Sequence, residues 1–193
     1  MITFAFFALT LVSCLIYRAM KPRGRGDHHS YEKIQTPGFF RYFYLYLVVS
    51  TILAVMVFPN WSHVWFLQWH HSYWIGISGF AIACSGMALF VWSMVHLAGQ
   101  YSPCYDARMP SQIVGTGPYK SIRHPVYTAN LILLVGVAVA TGSLWMVINF
   151  IGLLGFYLHC APIEEKALSK SFPDYRHYLN VSGRFLPRLR SVR

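Results

Sequence analysis

Charge is what this sequence has least of. Only 11% of its 193 residues are Asp, Glu, Lys or Arg, against about 25% in an average soluble domain. The shortage is concentrated in two places. Residues 42–105 hold no charged side chain, a run of 64, and residues 124–163 hold none either, a run of 40. A soluble domain of this length leaves a large surface to be wetted, so these runs exclude an ordinary soluble enzyme. A disordered chain is excluded too, because 55% of the residues are hydrophobic and the mean hydropathy is +0.42. Other absences narrow the chemistry. The four cysteines (Cys14, Cys84, Cys104, Cys160) make no CxxC and no zinc spacing. They read as small apolar fillers, not as a disulfide framework. No HExxH accompanies His28-His29 or the group His63, His70, His71, so no metal site is expected. There is no Walker loop, no GxSxG elbow and no Rossmann glycine pattern.

What is present reads as a membrane protein. A crossing helix needs about 20 apolar residues. Five candidates stand at Ile2–Met20, Phe39–Phe58, Tyr73–Leu97, Val126–Ala140 and Leu144–Ser171. All 16 Lys and Arg lie in residues 18–41, 108–123 and 166–193. By the positive-inside rule those three segments and the C-terminus are cytosolic, the N-terminus is outside, and five crossings are required. The net charge of +10 therefore reads as orientation in a membrane, with no nucleic-acid partner expected. Basic residues follow the first apolar run, from Arg18, where a signal peptide would carry them before it. That run reads as an uncleaved helix. Trp61, Trp65, Trp69 and Trp74 suit the outer headgroup level. Gly76, Gly79, Ser85 and Gly86 permit close helix packing.

The expected fold is all-α and integral to the membrane, a single domain over residues 1–193. Residues 1–97 supply three helices and residues 98–193 the functional half. The last helix leaves the bilayer near Pro162. Beyond a break at Phe172-Pro173, Leu168, Phe172, Tyr175 and Leu179 recur at helical intervals, predicting an amphipathic cap on the cytosolic face.

Three polar constellations carry the chemistry. Gly115-Thr116-Gly117-Pro118-Tyr119-Lys120-Ser121-Ile122-Arg123-His124-Pro125-Val126-Tyr127 precedes the fourth helix. Its glycines allow close backbone approach to a nucleotide-like ligand, and Pro125 suits the first helical position. The plainer alternative is a basic interfacial loop that binds headgroups. Glu164-Glu165 follows Pro162; two adjacent carboxylates there can hold a cationic ligand, or can simply end a helix in solvent. Arg184, within Ser182–Pro187, can grip a carboxylate or phosphate with its planar fork. The alternative is one more basic residue on a lipid-facing tail. His96 and His159 read as hydrogen-bonded residues near helix ends.

Taken in order, these segments resemble a known family. Gly117-Pro118-Tyr119 through Arg123-His124-Pro125-Val126-Tyr127 is similar to its GPYxxxRHPxY signature. Met94 and His96–Ser102 resemble its HxxLGxxWS segment. Glu164-Glu165 with Phe172, Tyr175 and Tyr178 resembles its EE…FGxxYxxY segment, and Gly183–Pro187 its closing GRxxP. The family is the isoprenylcysteine carboxyl methyltransferases, with their phospholipid and small membrane methyltransferase relatives. The likeness covers about residues 94–187.

The resemblance implies a cytosolic pocket for S-adenosylmethionine, left as S-adenosylhomocysteine after transfer, and capped by the C-terminal tail. Carried over by motif, Ile113 and Val114 contact the adenine, while Gly117, Tyr119, Arg123, His124, Pro125 and Tyr127 line the cofactor. Glu164 and Glu165 take its amino group or position the pocket. Arg184 and Glu165 are the catalytic candidates, Arg184 holding an acceptor carboxylate, and Glu165, His124 or a tyrosine taking a proton if the acceptor is an amine. The implied acceptor is lipid-like, first the carboxylate of an isoprenylcysteine-type molecule. A phospholipid or another small N- or S-acceptor is the alternative. From a different class stands a non-catalytic protein that binds anionic lipid or a partner. The implied location is the inner membrane of a prokaryote or the endoplasmic reticulum of a eukaryote, among membrane lipids.

Overall fold

The computed structural model describes residues 34, 37–57, 72–97, 100–102 and 109–188, with 54–57 described by backbone alone. Among these residues there are five α-helices: α1 (Phe39–Val57), α2 (Tyr73–Leu97), α3 (Pro125–Thr141), α4 (Leu144–Ser171) and α5 (Tyr175–Val181). A single 3-10 turn, Gly117–Lys120, precedes α3. Among the described residues there is no strand, only one isolated parallel bridge between Ile122 and Gly183. The expected span Ile2–Met20 lies outside the described residues, as do Trp61, Trp65, Trp69 and the histidines His28, His29, His63, His70 and His71.

The tightest packing joins α2 to α3, and small residues explain it. A Cβ on Gly136 would lie 2.7 Å from Ala83 Cα, and one on Gly86 would lie 2.6 Å from the Leu133 nitrogen. One on Gly79 would lie 2.8 Å from Ala140 Cβ. The backbones therefore touch, the van der Waals route to helix association in a membrane. Helix α4 packs against α3 and α1 around Phe40, Leu47, Tyr127, Leu134, Phe156, Tyr157 and Cys160. A polar tie also joins α1 to α4: Ser50 Oγ donates to Asn149 Oδ1 at 3.0 Å and accepts from Trp145 Nε1 at 2.9 Å.

Among the described residues, two helices are long and apolar enough to cross a membrane, Tyr73–Leu97 and Leu144–Ser171. Their apolar windows are only 33% and 39% buried, unlike the core helix of a soluble protein. Trp74, Trp92, Val95, Ile148, Ile151 and Leu158 point outward, as lipid-facing residues do. The apolar stretches of α1 (Phe39–Leu53) and α3 (Pro125–Thr141) are shorter.

The connections aim the polar residues. Gly142 closes α3 in the left-handed region (φ 63°), its N–H reaching the Ala138 carbonyl at 3.0 Å. Helix α4 runs on through Pro162, which deletes one helix hydrogen bond without ending the helix. At Phe172 the backbone turns extended and α5 follows after a short turn, with Tyr175 buried. One expectation is corrected: Cys84 is free but Cys160 is disulfide-bonded, so not all the cysteines are isolated fillers.

Candidate active site

The site begins with a tight turn. Gly117 sits at φ +56°, and a Cβ there would also lie 2.6 Å from the His96 ring. Only glycine meets both conditions. Pro118 opens the 3-10 turn, and Tyr119 is carried inward to 7% exposure. The chain then meets its own tail. Gly183 N–H reaches the Ser121 carbonyl at 2.9 Å, Arg123 N–H the Gly183 carbonyl at 2.8 Å and His124 N–H the Arg184 carbonyl at 3.1 Å. Thr128 Oγ1 adds a bond to the Phe185 carbonyl at 2.7 Å. A side chain on Gly183 would run into the Leu186 carbonyl, so the tail can turn here only with glycine.

These contacts gather an ionic cluster at the inner end of α4. Glu165, 7% exposed, accepts from Arg123 Nε at 2.9 Å, Arg184 Nε at 3.1 Å and Arg184 Nη2 at 2.6 Å. Arg123 Nη1 also donates to the Leu179 carbonyl at 3.2 Å and to the Ser182 carbonyl. Two guanidinium ions thus share one carboxylate, and the tail's carbonyls hold one of them. Bonding to Glu165 raises the pKa of Arg184 further, so its charge is permanent.

Glu164 faces a different environment. It accepts the Tyr127 hydroxyl at 2.6 Å, and His124 Nδ1 stands 3.5 Å from its other oxygen. The Tyr127 ring stacks on Tyr157 at 4.1 Å and on His124 at 5.1 Å. His124 Nε2 lies 3.3 Å from Glu165 Oε1 but off the hydrogen-bonding line, and it is buried without a hydrogen-bond partner among the described residues. A buried ring nitrogen left in that state costs stability.

Beside the cluster opens a cavity of about 140 Å³. Its walls include Ile113 and Val114 from the loop, Tyr119, Arg123, His124 and Tyr127 from the turn and α3, and Glu164 from α4. The end of α2 adds Leu97, and Gln100 and Tyr101 follow it; the tail adds Tyr175 and Tyr178. Burial pushes the Tyr178 hydroxyl up to about 12 and those of Tyr119 and Tyr175 higher still. These tyrosines are neutral donors near pH 7 and cannot serve as bases. Tyr178 spends its proton on the Tyr119 carbonyl at 2.5 Å.

Seven of the residues singled out from sequence therefore meet in one cavity wall: Ile113, Val114, Tyr119, Arg123, His124, Tyr127 and Glu164. Gly117 and Pro125 shape the turn without lining the cavity. Glu165 and Arg184 stand behind the wall, paired to each other. Sequence reasoning missed Tyr178 and Tyr175 as wall residues. Their three-residue spacing, which puts both on one face of a short helix, was the available signal.

The described residues form a helical bundle with apolar outer faces and an ionic, tyrosine-walled cavity at one helix end. The family is shown by sequence: the model of the phospholipid methyltransferase family matches residues 74–175, more than half the chain. The chain belongs to that family, whose members are methyltransferases and generally use S-adenosylmethionine. Family and apolar helices together make it a membrane-associated protein. Among curated proteins, it is 27% identical over 147 residues to the nickel-cobalt-cadmium resistance protein NccN of Alcaligenes xylosoxydans xylosoxydans. It is 27% identical over 148 residues to the cobalt-zinc-cadmium resistance protein CzcN of Cupriavidus metallidurans. Each alignment covers 74% of this chain and 62% of the relative, so the match spans less than two thirds of those proteins. An uncharacterised protein of Schizosaccharomyces pombe is 32% identical over 80 residues, 38% of this chain and 23% of that protein.

Proposed function

We propose that the protein is an S-adenosylmethionine-dependent methyltransferase that binds its cofactor in this cavity, at the cytosolic face of a membrane, and methylates a lipid-like acceptor. One observation carries the reading: the cavity wall holds polar groups of both charges. Among the described residues, Arg123 uses Nε and Nη1 but not Nη2, and His124 Nε2 makes no hydrogen bond, standing 3.3 Å from Glu165 Oε1. Glu164 supplies a carboxylate to the same space. These are complements for a ligand with both a carboxylate and an ammonium group.

The residues present fit the cofactor. Arg123 and His124 would hold its carboxylate, Glu164 its ammonium, and Ile113 and Val114 its base. The neutral tyrosine rings suit a positively charged sulfur. Bound there, the cofactor supplies a methyl group on a sulfonium. The protein's share is to fix both ends of the cavity's occupant and to exclude water, and such positioning lowers the barrier of a displacement reaction. An ionised carboxylate acceptor needs no base; an amine needs its proton removed, and Glu164 and His124 are the wall residues able to take it.

The acceptor we put first is the carboxylate of an isoprenylcysteine-type molecule, on the strength of the RHPxY and GRxxP motifs. The description of the matched family favours the second, a phospholipid amine. Two relatives are named for metal resistance. Among the described residues no group of three His, Cys, Asp or Glu could hold a metal ion. The bundle proposed is the five-span one, with the C-terminus in the cytosol.

Calorimetric titration of the detergent-solubilised protein with S-adenosylhomocysteine tests the reading, with His124→Ala alongside. Micromolar binding that weakens in the variant supports it. A folded wild type that binds nothing overturns it and leaves a lipid- or partner-binding protein.

A further inference from the structure

We infer that Arg184 is a positioning residue: it acts through Glu165 to keep Arg123 in place in the cavity wall with its positive charge only partly cancelled. The tail is thereby part of the cofactor pocket. The inference rests on the reading of the cavity as a cofactor site.

Arg184 does not touch the cavity. Its side chain is 38% exposed, it is absent from the cavity wall, and two of its nitrogens are committed to Glu165. A guanidinium so engaged is poorly placed to hold an acceptor's carboxylate. What it does touch is the carboxylate that also grips Arg123. Glu165 Oε1 is shared by Arg123 Nε at 2.9 Å and Arg184 Nε at 3.1 Å.

The electrostatic consequence follows from charge counting. With both guanidinium ions present, one carboxylate is divided between two positive charges, and Arg123 keeps net positive character to offer through Nη2. Without Arg184, Glu165 neutralises Arg123 alone, and the attraction for an anionic ligand group weakens. The Arg123–Glu165 pair is largely out of water, its side chains being 10% and 9% exposed; Arg184, 38% exposed, is partly screened, which reduces its effect without erasing it.

Geometry adds a second restraint from the same segment. Arg123 Nη1 is held by the Leu179 and Ser182 carbonyls, and the Arg123 and His124 N–H groups by the Gly183 and Arg184 carbonyls. The segment that carries Arg184 therefore fixes both the backbone and the head of Arg123.

Two ligands separate this role from others. S-adenosylhomocysteine carries the amino-acid carboxylate and ammonium; 5′-methylthioadenosine is the nucleoside thioether without either, so a change that acts on the amino-acid end alone leaves its binding untouched. Arg184→Met is expected to weaken S-adenosylhomocysteine by about tenfold, the worth of one charge-assisted hydrogen bond. Its affinity for 5′-methylthioadenosine should stay unchanged. Arg184→Lys keeps the charge without the fork and should fall between the two. In an Arg123→Met background the Arg184→Met change should add less than about twofold, because its route to the ligand is gone. Melting curves confirm that each variant is folded. Equal weakening of both ligands would mean general damage to the tail and overturn the inference. Unchanged S-adenosylhomocysteine affinity would overturn it as well and return Arg184 to the acceptor side. A wild type that binds neither ligand sinks the cofactor reading itself, and that result precedes any variant.

Discussion

Glu164 and Glu165 are neighbours in sequence with opposite burdens, and substituting each by glutamine should show it. Glu165 accepts three hydrogen bonds from two guanidinium groups, at 2.9, 3.1 and 2.6 Å. A glutamine keeps one carbonyl acceptor and turns an amide NH₂ toward a donor. With that carbonyl in the Oε1 position, one of the three bonds is lost and the other two keep only a neutral acceptor, where each charge-assisted bond is worth roughly 1.5–3 kcal/mol. Breaking a buried pair from one side costs roughly 3–5 kcal/mol. Because the Arg184 side chain is 38% exposed, its share is screened, and a loss of about 3 kcal/mol is the working figure. For a chain of this size that corresponds to a melting point lower by about 6–12 °C. Glu164 holds the Tyr127 bond at 2.6 Å, for which the amide of a glutamine retains a carbonyl acceptor, and a longer contact with His124 Nδ1 at 3.5 Å. Glu164→Gln should therefore cost about 1 kcal/mol or less while weakening S-adenosylhomocysteine. The assay is a thermal melt in one detergent for wild type and both variants, followed by calorimetry. Equal melting points for the two variants would refute the division of labour, as would a Glu165→Gln protein as stable as wild type.

Other outcomes follow from the same packing and charges. Gly136→Ala places a methyl 2.7 Å from Ala83 Cα, where backbone cannot yield, and should cost about 1–3 kcal/mol in a melt; Gly155→Ala, with nothing within 4 Å, should not. Gly117→Ala combines a left-handed φ of +56° with the His96 ring and should lower both stability and S-adenosylhomocysteine affinity. For pH, Tyr178 titrates at about 12 in the folded protein against 10.0 for an unperturbed tyrosine. Between those values the folded state keeps a proton that the unfolded chain has released, so its stability contribution is full below pH 10 and is lost as pH rises toward 12. Tyr178→Phe should flatten that part of a stability–pH curve. Protease added to sealed vesicles should cut the tail only when it reaches the cytosolic face; cleavage from the outer face would reverse the proposed orientation.

Much of the helical frame is legible without a fold. Residues 73–97 and 144–163 are apolar runs ended by polar or turn-forming residues, and the helices Tyr73–Leu97 and Leu144–Ser171 contain them. The break after Ser171 follows from Pro173, which disfavours helix in the residue before it. The glycines at 79 and 86 mark a close helix contact by composition alone, since only small residues let backbones meet. What they meet, Ala140 and Leu133, is a property of the pair. The first expected span and the outer tryptophans Trp61, Trp65 and Trp69 lie outside the described residues, and the shorter apolar stretches of α1 and α3 do not by themselves establish five crossings.

The candidate site divides along the same line. That Arg123, His124, Glu164 and Glu165 are chemically active types at the ends of apolar helices is visible in the sequence, because ionisable groups survive there only for a reason. Which of the glutamates faces a ligand is not. Consecutive residues on a helix project about 100° apart, so one of the two must turn away from the cavity. The choice depends on what packs against each side. Tertiary structure makes it by bringing Gly183 beside Ile122, which delivers Arg184 to Glu165 and leaves Glu164 with the cavity. Local sequence encodes the turn, the charges and the helices; the pairing of residues far apart in the chain, and with it the role of each charge, is decided only when the tail folds back.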